Sequence, residues 1–425
     1  MFGSFSGKGK TALVTGTVGA AMVMSLATTG AFAAPTPQPT TKTASCAPQD
    51  GVTANSVKFA LLTSATGANA SNFAGFIQAA KLRIAQENAK GGVFGRKITT
   101  VELDDQSSGS TQSLMANKAV QDEKAFGVIQ ITTQDTMMPI FKAVGMPVIG
   151  INNGPSGSTD RNAFIATGPA SNLYTTNAGA IRMAQTGAKK MATIAFPVPA
   201  AQAAANSWAA SLPSQGLTEV LRIGDAPFGA YDATSTALRI KSSGAEGVYL
   251  ILLVDGGVSV MNALKQQGVT LKAPYMAGLS DPAVIAKAGT ALDGVIGSTY
   301  GTVPGGVPGR PGVRTYINGM KAVGANPYGP SAPLGYVSAD TFIKGLKLAG
   351  TCPTRAGLIN ALHNVKSIDG AGLLPEPINY RPGLTPNGNP PTCSWFIVAQ
   401  GGQMIPDKKA TCGQLMEVAT GKIVS

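Results

Sequence analysis

The titratable residues of this chain limit the chemistry it can do. The single histidine, His363, falls inside a predicted helix over 354–365 with no acid or cysteine near it in sequence, the usual setting of a structural histidine. No HExxH, G-x-S-x-G or Walker loop follows the first 33 residues, which removes the commonest zinc-protease, serine-hydrolase and nucleotide-phosphate signatures. Adjacent carboxylates occur only as Asp104-Asp105 and Asp122-Glu123. Neighbours on a strand point to opposite faces, so Asp104 and Asp105 make a poor acid–base couple. Cys46, Cys352, Cys393 and Cys412 lack the CxxC or histidine spacing of a metal site, and no cofactor is expected. A secreted hydrolase with groups assembled from distant positions stays open as an alternative, but the reading is of a protein that is not an enzyme. Polar residues suited to holding a solute stand after apolar runs. Thr132-Thr133-Gln134 follows GVIQI and precedes a predicted helix, where hydroxyls and free backbone N–H groups can cradle a carboxylate.

The N-terminus predicts export. Lys8 and Lys10 precede an apolar, small-residue run from Thr11 to Ala33 that ends in Ala31-Phe32-Ala33. This is a signal peptide over 1–33, cleaved after Ala33. Residues 34–50 read as a Pro/Thr-rich linker. Four cysteines in an exported chain are expected in disulfides, with three connectivities. Cys393 and Cys412 flank an expected hairpin at Gly401-Gly402 and are paired, leaving Cys46 with Cys352. Cys46 as a lipidation site is the weaker alternative, because Thr43-Ala44-Ser45 lacks the usual leucine. The net charge of +12 is spread thinly, with 13% charged residues. A nucleic-acid binder would concentrate that charge and interleave aromatics, so no nucleic-acid partner is expected.

The positioning elements alternate. Strands are predicted at 57–63, 97–103, 127–131 and 147–151, with helices over 71–89, 110–121 and 137–144 between them. A second series has helices over 173–185, 202–212, 231–242 and 261–267 around strands at 191–196, 218–223, 247–254, 274–276 and 294–299. Gly301–Gly312 is too rich in Gly and Pro for an element. Two more helices, 338–349 and 354–365, precede a β-rich tail. Such β-α-β order gives an α/β fold of two doubly wound parallel-sheet lobes joined by crossover strands.

Several of these segments together resemble one family. The strand VKFALLT is followed by TGAN, then Glu87–Arg96 (ENAKGGVFGR), then a strand ending in Asp104-Asp105. Further on stand Gly145-Met146-Pro147-Val148-Ile149, Asp232 with Leu238, and Lys241–Tyr249 (KSSGAEGVY). The set, over about residues 51–365, resembles type I periplasmic binding proteins of the branched-chain amino acid and amide ABC importers. The resemblance implies a Venus-flytrap fold, with lobe 1 at 51–167 and 304–368 and lobe 2 at 168–303 and 369–425. It implies a monomeric, exported protein that holds a small carboxylate, amide or amino-acid-like solute between its lobes and presents it to a membrane ABC permease by hinge closure. A ligand-sensing receptor of the same fold is the alternative.

The resemblance places the site in turns at strand ends. In lobe 1 these are Ser64 and Thr66, then Thr132, Thr133 and Gln134, then Asn152, Asn153 and Gly154. In lobe 2 they are Phe196, Tyr249, Asp255, Leu279 and Ser280. Amino-acid binders of the family hold an ammonium with an acidic residue that falls near Leu279 or Ser280 here, and neither is acidic. Their tyrosine after the 191–196 strand is replaced by Pro197-Val198-Pro199-Ala200. A buried ammonium without a carboxylate costs several kcal/mol, so either Asp255 substitutes or the ligand has no ammonium.

Overall fold

Apolar β-branched runs and the helices between them build a first parallel sheet. A computed structural model describes residues 46–152, 156–169, 173–227 and 232–424. The expected signal peptide with its cleavage site, and positions 34–45 of the expected linker, lie outside the described residues. β1 (Ser56–Thr63), β2 (Lys97–Asp104), β3 (Gly127–Thr132), β4 (Val148–Asn152) and β5 (Ala163–Ile165) pair in the order β2-β1-β3-β4-β5, all parallel. Between them run α1 (Phe76–Ala89), α2 (Gly109–Asn117), α3 (Met138–Ala143) and α4 (Ser156–Thr159).

After a short strand, β6 (Tyr174–Thr176), the chain builds a second sheet. Its elements are α5 (Ala178–Ala184), β7 (Lys190–Ala195), α6 (Pro199–Ser211), β8 (Thr218–Ile223), α7 (Ala233–Ser243), β9 (Gly247–Ile251), α8 (Val254–Gln266), β10 (Ala273–Met276), α9 (Pro282–Ala288) and β11 (Ile296–Ser298). It then returns to the first sheet through α10 (Pro311–Ala322), α11 (Ala332–Ala349) and α12 (Arg355–His363). The tail supplies β12 (Cys393–Ser394), β13 (Phe396–Gln400), β14 (Gln403–Pro406), β15 (Thr411–Cys412) and β16 (Leu415–Glu417). The second sheet reads β14-β13-β11-β10-β9-β7-β8. It is parallel except at the β14 edge, where β13 and β14 are antiparallel. Gly401 and Gly402 turn that hairpin with φ of 57° and 73°, the two positive values a type I′ turn requires. Residues 47–425 form one compact unit.

Each sheet has its own core. α11 crosses α1 so closely that a Cβ on Gly335 would stand 2.0 Å from the Phe76 carbonyl oxygen. Beneath this crossing Arg83 is buried against Asp340 (2.9 Å) and Glu87 (3.1 Å), and Lys344 and Lys347 reach the same two carboxylates. Burial alone would lower the Arg83 pKa, but Asp340 and Glu87 more than offset it and raise the pKa above its ordinary value. His363 is also packed in this core, against Phe164, with its ring nitrogens on the Tyr380 and Arg161 carbonyls. Cys393 and Cys412 are disulfide-bonded, opposite each other on β12 and β15. Cys46 and Cys352 are disulfide-bonded as well.

Several expectations need correction, the helix expected over 173–185 among them, since its first residues form β6 instead. Lobe 2 does not resume at residue 369, because Leu373, Leu374, Ile378 and Tyr380 pack in the first core; the chain rejoins the second sheet only at β13. The strand expected over 247–254 ends at Ile251, and α8 starts at Val254, not 261. Gly256 and Gly257 sit in the first turn of α8, where Gly257 allows Met276 to approach. Finally, α10 lies where no helix was expected and α11 begins six residues early. Prolines mark these starts: Pro311 is the first residue of α10 and Pro333 the second of α11, positions where the missing N–H costs nothing.

Candidate functional site

The carboxyl ends of strands in both sheets converge on one cavity of about 280 Å³, the position at which open α/β sheets bind ligands. From the first lobe come Asn69, Asn72 and Phe73 of the β1–α1 loop, Ile131 and Thr133 at the end of β3, Ile151 of β4, Thr167 after β5, and Ser331 and Leu334 at the start of α11. The second lobe adds Phe196, Val198, Ala200, Ala201 and Ala204 around the start of α6, Tyr249 and Ile251 on β9 with Leu252 just after it, Ala277 after β10 and Tyr300 after β11. None of these described lining residues carries a charge.

Local sequence explains the shape. Pro199 opens α6 and lets the chain turn directly from β7 into the helix, so small alanines face the cavity. The first turns of α6 and α11, helices of 13 and 18 residues, both abut the cavity. Each helix N-terminus carries about half a positive charge, so the field inside favours an anion although no cation is present.

The floor is aromatic. Tyr249 stacks on Tyr275 with ring centroids 4.6 Å apart, and Trp208 lies 5.0 Å from Tyr249. Tyr275 shares a hydrogen bond with Ser298 at 2.9 Å. Burial, together with neighbouring phenols, raises Tyr249 well above the ordinary tyrosine range, and burial raises Tyr275 as well. These hydroxyls are therefore neutral donors at physiological pH.

One polar group points to a ligand. Asn69 is buried, and its Nδ2 donates a long bond of 3.4 Å to Thr133 Oγ1. Its Oδ1 has no hydrogen-bond partner. A buried amide oxygen without a partner costs about 1–3 kcal/mol, and the residue that carries it lines the cavity. Turned by half a rotation, the same amide would present its N–H₂ instead.

The sequence-predicted residues divide into those that reach this cavity and those that do not. Thr133, Phe196 and Tyr249 line it. Ser64 and Thr132 do not. Ser64 Oγ donates to Asp105 Oδ1 and Thr132 Oγ1 to Asp105 Oδ2, each at 2.5 Å, and Gln112 joins the same buried carboxylate. Thr66 is exposed and binds Asp104 through its hydroxyl at 2.7 Å. Burial would raise the Asp104 pKa, but the Thr66 hydroxyl and nearby backbone amides hold it below the usual range. Gln134 reaches toward Thr133 at 3.4 Å but is not part of the wall. Asn152 ends β4 beside Thr132, and its side chain lies outside the described residues, as do Asn153 and Gly154.

Asp255, Leu279 and Ser280 line a separate, outer chamber of about 160 Å³. It shares only Asn72 with the inner cavity and also contains Asp281. Asn326, on the segment leading into α11, reaches Asp281 across the cleft at 2.8 Å.

The comparisons agree with this architecture. A family model described as periplasmic binding protein matches residues 56–403. An amino acid binding protein of Pseudomonas aeruginosa is 27% identical over 212 residues, covering 49% of this chain and 56% of that relative, so the match spans little more than half its length. Two solved structures share the fold. One is a branched-chain amino acid ABC transporter protein of Thermus thermophilus with bound valine (TM-score 0.71, 16% identity, 84% of this chain and 97% of that one). The other is an ABC transporter solute-binding protein of R. palustris in complex with benzoate (TM-score 0.69, 19% identity, 84% and 97%). With two sheets, a cleft at their carboxyl ends and a family match over most of its length, this chain belongs to the periplasmic binding protein family.

Proposed function

We propose that this chain is the exported substrate-binding component of an ABC importer. Its solute is a small, largely apolar molecule with one anionic or amide head and no ammonium. The observation that carries this reading is the uncharged inter-lobe cavity, with aromatic and aliphatic walls and the unsatisfied Asn69 amide. Asn69, Thr133 and Ser331 suit the head group, assisted by the first turns of α6 and α11; Phe196, Tyr249 and Tyr300 suit the body. An aromatic or branched aliphatic carboxylate meets these demands. The related folds that hold benzoate and valine agree with a ligand of this size.

In this reading the protein performs no catalysis. Asp104 and Asp105 are engaged with neighbouring hydroxyls and amides, His363 lies in the core, and none of the three lines the cavity. Closure around the solute creates the form that a membrane permease recognises.

The test is a thermal-shift screen of the mature protein against amino acids, aliphatic and aromatic carboxylates and their amides. A solute at 100 times its dissociation constant stabilises the folded state by about 2.7 kcal/mol. The expected hits are carboxylates or amides with a single apolar body. A folded protein that shifts with none of them would overturn the reading.

A further inference from the structure

Tyr300 stands between the inner and outer chambers of the cleft, and we propose that its ring is the partition that sets how long a solute the protein accepts. The proposal rests on the binding reading above and deepens it. Ala277 lines the inner cavity and the next residue, Gly278, lines the outer one. Tyr300 belongs to the inner wall, and its phenol covers Gly278: a Cβ placed there would lie 2.6 Å from Tyr300 Oη and 2.7 Å from its ring. Gly278 is therefore the residue that leaves room for the partition. Beyond the ring lie the outer chamber and Asp255.

The backbone under this ring is fixed. Tyr300 has a φ of 50°, in the left-handed region that a bulky residue rarely enters. The turn is pinned on both sides, since the Thr299 hydroxyl donates to the Thr302 carbonyl and the Thr302 hydroxyl to the Thr299 carbonyl, the latter at 3.0 Å. The ring is held only by packing, with no hydrogen bond from its hydroxyl to any described residue. The residue as a whole is 41% exposed, while its hydroxyl end is enclosed. Burial of that end, with the Tyr275 phenol nearby, pushes Tyr300 up to about 12. An aromatic ring on a rigid turn, packed over a glycine, is suited to closing one chamber against a short solute.

The experiment measures a series of straight-chain monocarboxylates of increasing length by calorimetry, on the full mature protein and on Tyr300→Ala, Tyr300→Gly and Tyr300→Phe. Glycine adopts the left-handed φ without strain, so Tyr300→Gly keeps the turn if the alanine variant folds poorly. Each buried methylene should strengthen wild-type binding about fourfold until the chain meets the ring, after which affinity stops rising. In Tyr300→Ala and Tyr300→Gly the rise should continue for at least two further methylenes, and Tyr300→Phe should keep the wild-type break. The same break in all four proteins, or no break in the wild type, would overturn the partition alone. A wild type that binds no carboxylate of any length would overturn the binding reading itself.

Discussion

The sharpest consequence of an uncharged cavity concerns matched ligands that differ only by an amino group. Leucine and 4-methylpentanoate share a carboxylate and a branched body, as do phenylalanine and 3-phenylpropanoate. In each pair the amino acid must bring its ammonium into a space with no acidic wall residue, Asp255 and Asp281 lining the other chamber instead. A buried charge left without its partner costs about 3–5 kcal/mol. Taking the lower end, because the phenols and Asn69 can accept one hydrogen bond each, about 3 kcal/mol corresponds to more than 100-fold in dissociation constant. The des-amino acids should therefore bind at least 100 times more tightly than their amino acids at pH 7 and physiological salt. Calorimetry gives the ratio directly, and quenching of Trp208, which lies 5.0 Å from Tyr249, gives an independent reading. Leucine or phenylalanine equalling its des-amino partner would refute the argument and place a carboxylate, Asp255 foremost, within reach of the ligand.

Three further outcomes concern the frame. Replacing Cys393 and Cys412 by serine opens a bridge of sequence separation 19 and should lower unfolding free energy by about 3 kcal/mol, read as a lower urea midpoint. Arg83→Met leaves Asp340 and Glu87 with only their lysine partners and should cost about 3 kcal/mol, again by urea titration, with little effect on ligand affinity. His363 has its pKa lowered, by burial first and by the Arg161 charge as well, against the opposing pull of its two carbonyl contacts. The unfolded chain then holds a proton that the folded one does not, so this contribution is full above about pH 6.5 and is lost as pH falls below it. Between about pH 6.5 and 5 the wild type should lose stability in thermal melts while His363→Gln stays flat. Glu87, Asp104 and Asp369, whose pKa values are lowered, stabilise the fold throughout this window and lose that contribution only as pH falls further, through the ordinary carboxylate range and below.

Sequence patterns made the two sheets legible because strand and helix periods survive tertiary packing. VKFALLT and GVYLILLV alternate with amphipathic segments, and those segments have to cover the sheets. The helices opening at Pro199, Pro311 and Pro333 were harder, since a proline reads as a break unless the helix behind it is already known. The cavity itself was only partly readable. Asn69, Ser331 and Tyr300 are far apart in sequence and lie in turns with no period, and only the returning crossovers bring them together.

The errors at the site follow a rule that a strand imposes. Thr132 and Thr133 are adjacent hydroxyls after the same apolar run, and both look equally suited to a ligand. Ile131 and Thr133 line the cavity, whereas Thr132 turns to the opposite face and spends its hydroxyl on Asp105. On β9 the same parity holds: Tyr249 and Ile251 face the cavity, and Leu250 is buried in the second core. Within a strand, once one residue is assigned to the cleft, its neighbours two positions away follow and its immediate neighbours turn to the other face; past the strand end the alternation lapses, as Leu252 shows. Applied to Thr133 and Tyr249, that parity would have found the apolar Ile131 and Ile251 and removed Thr132. The cavity would then have been read as an apolar chamber with a small polar end.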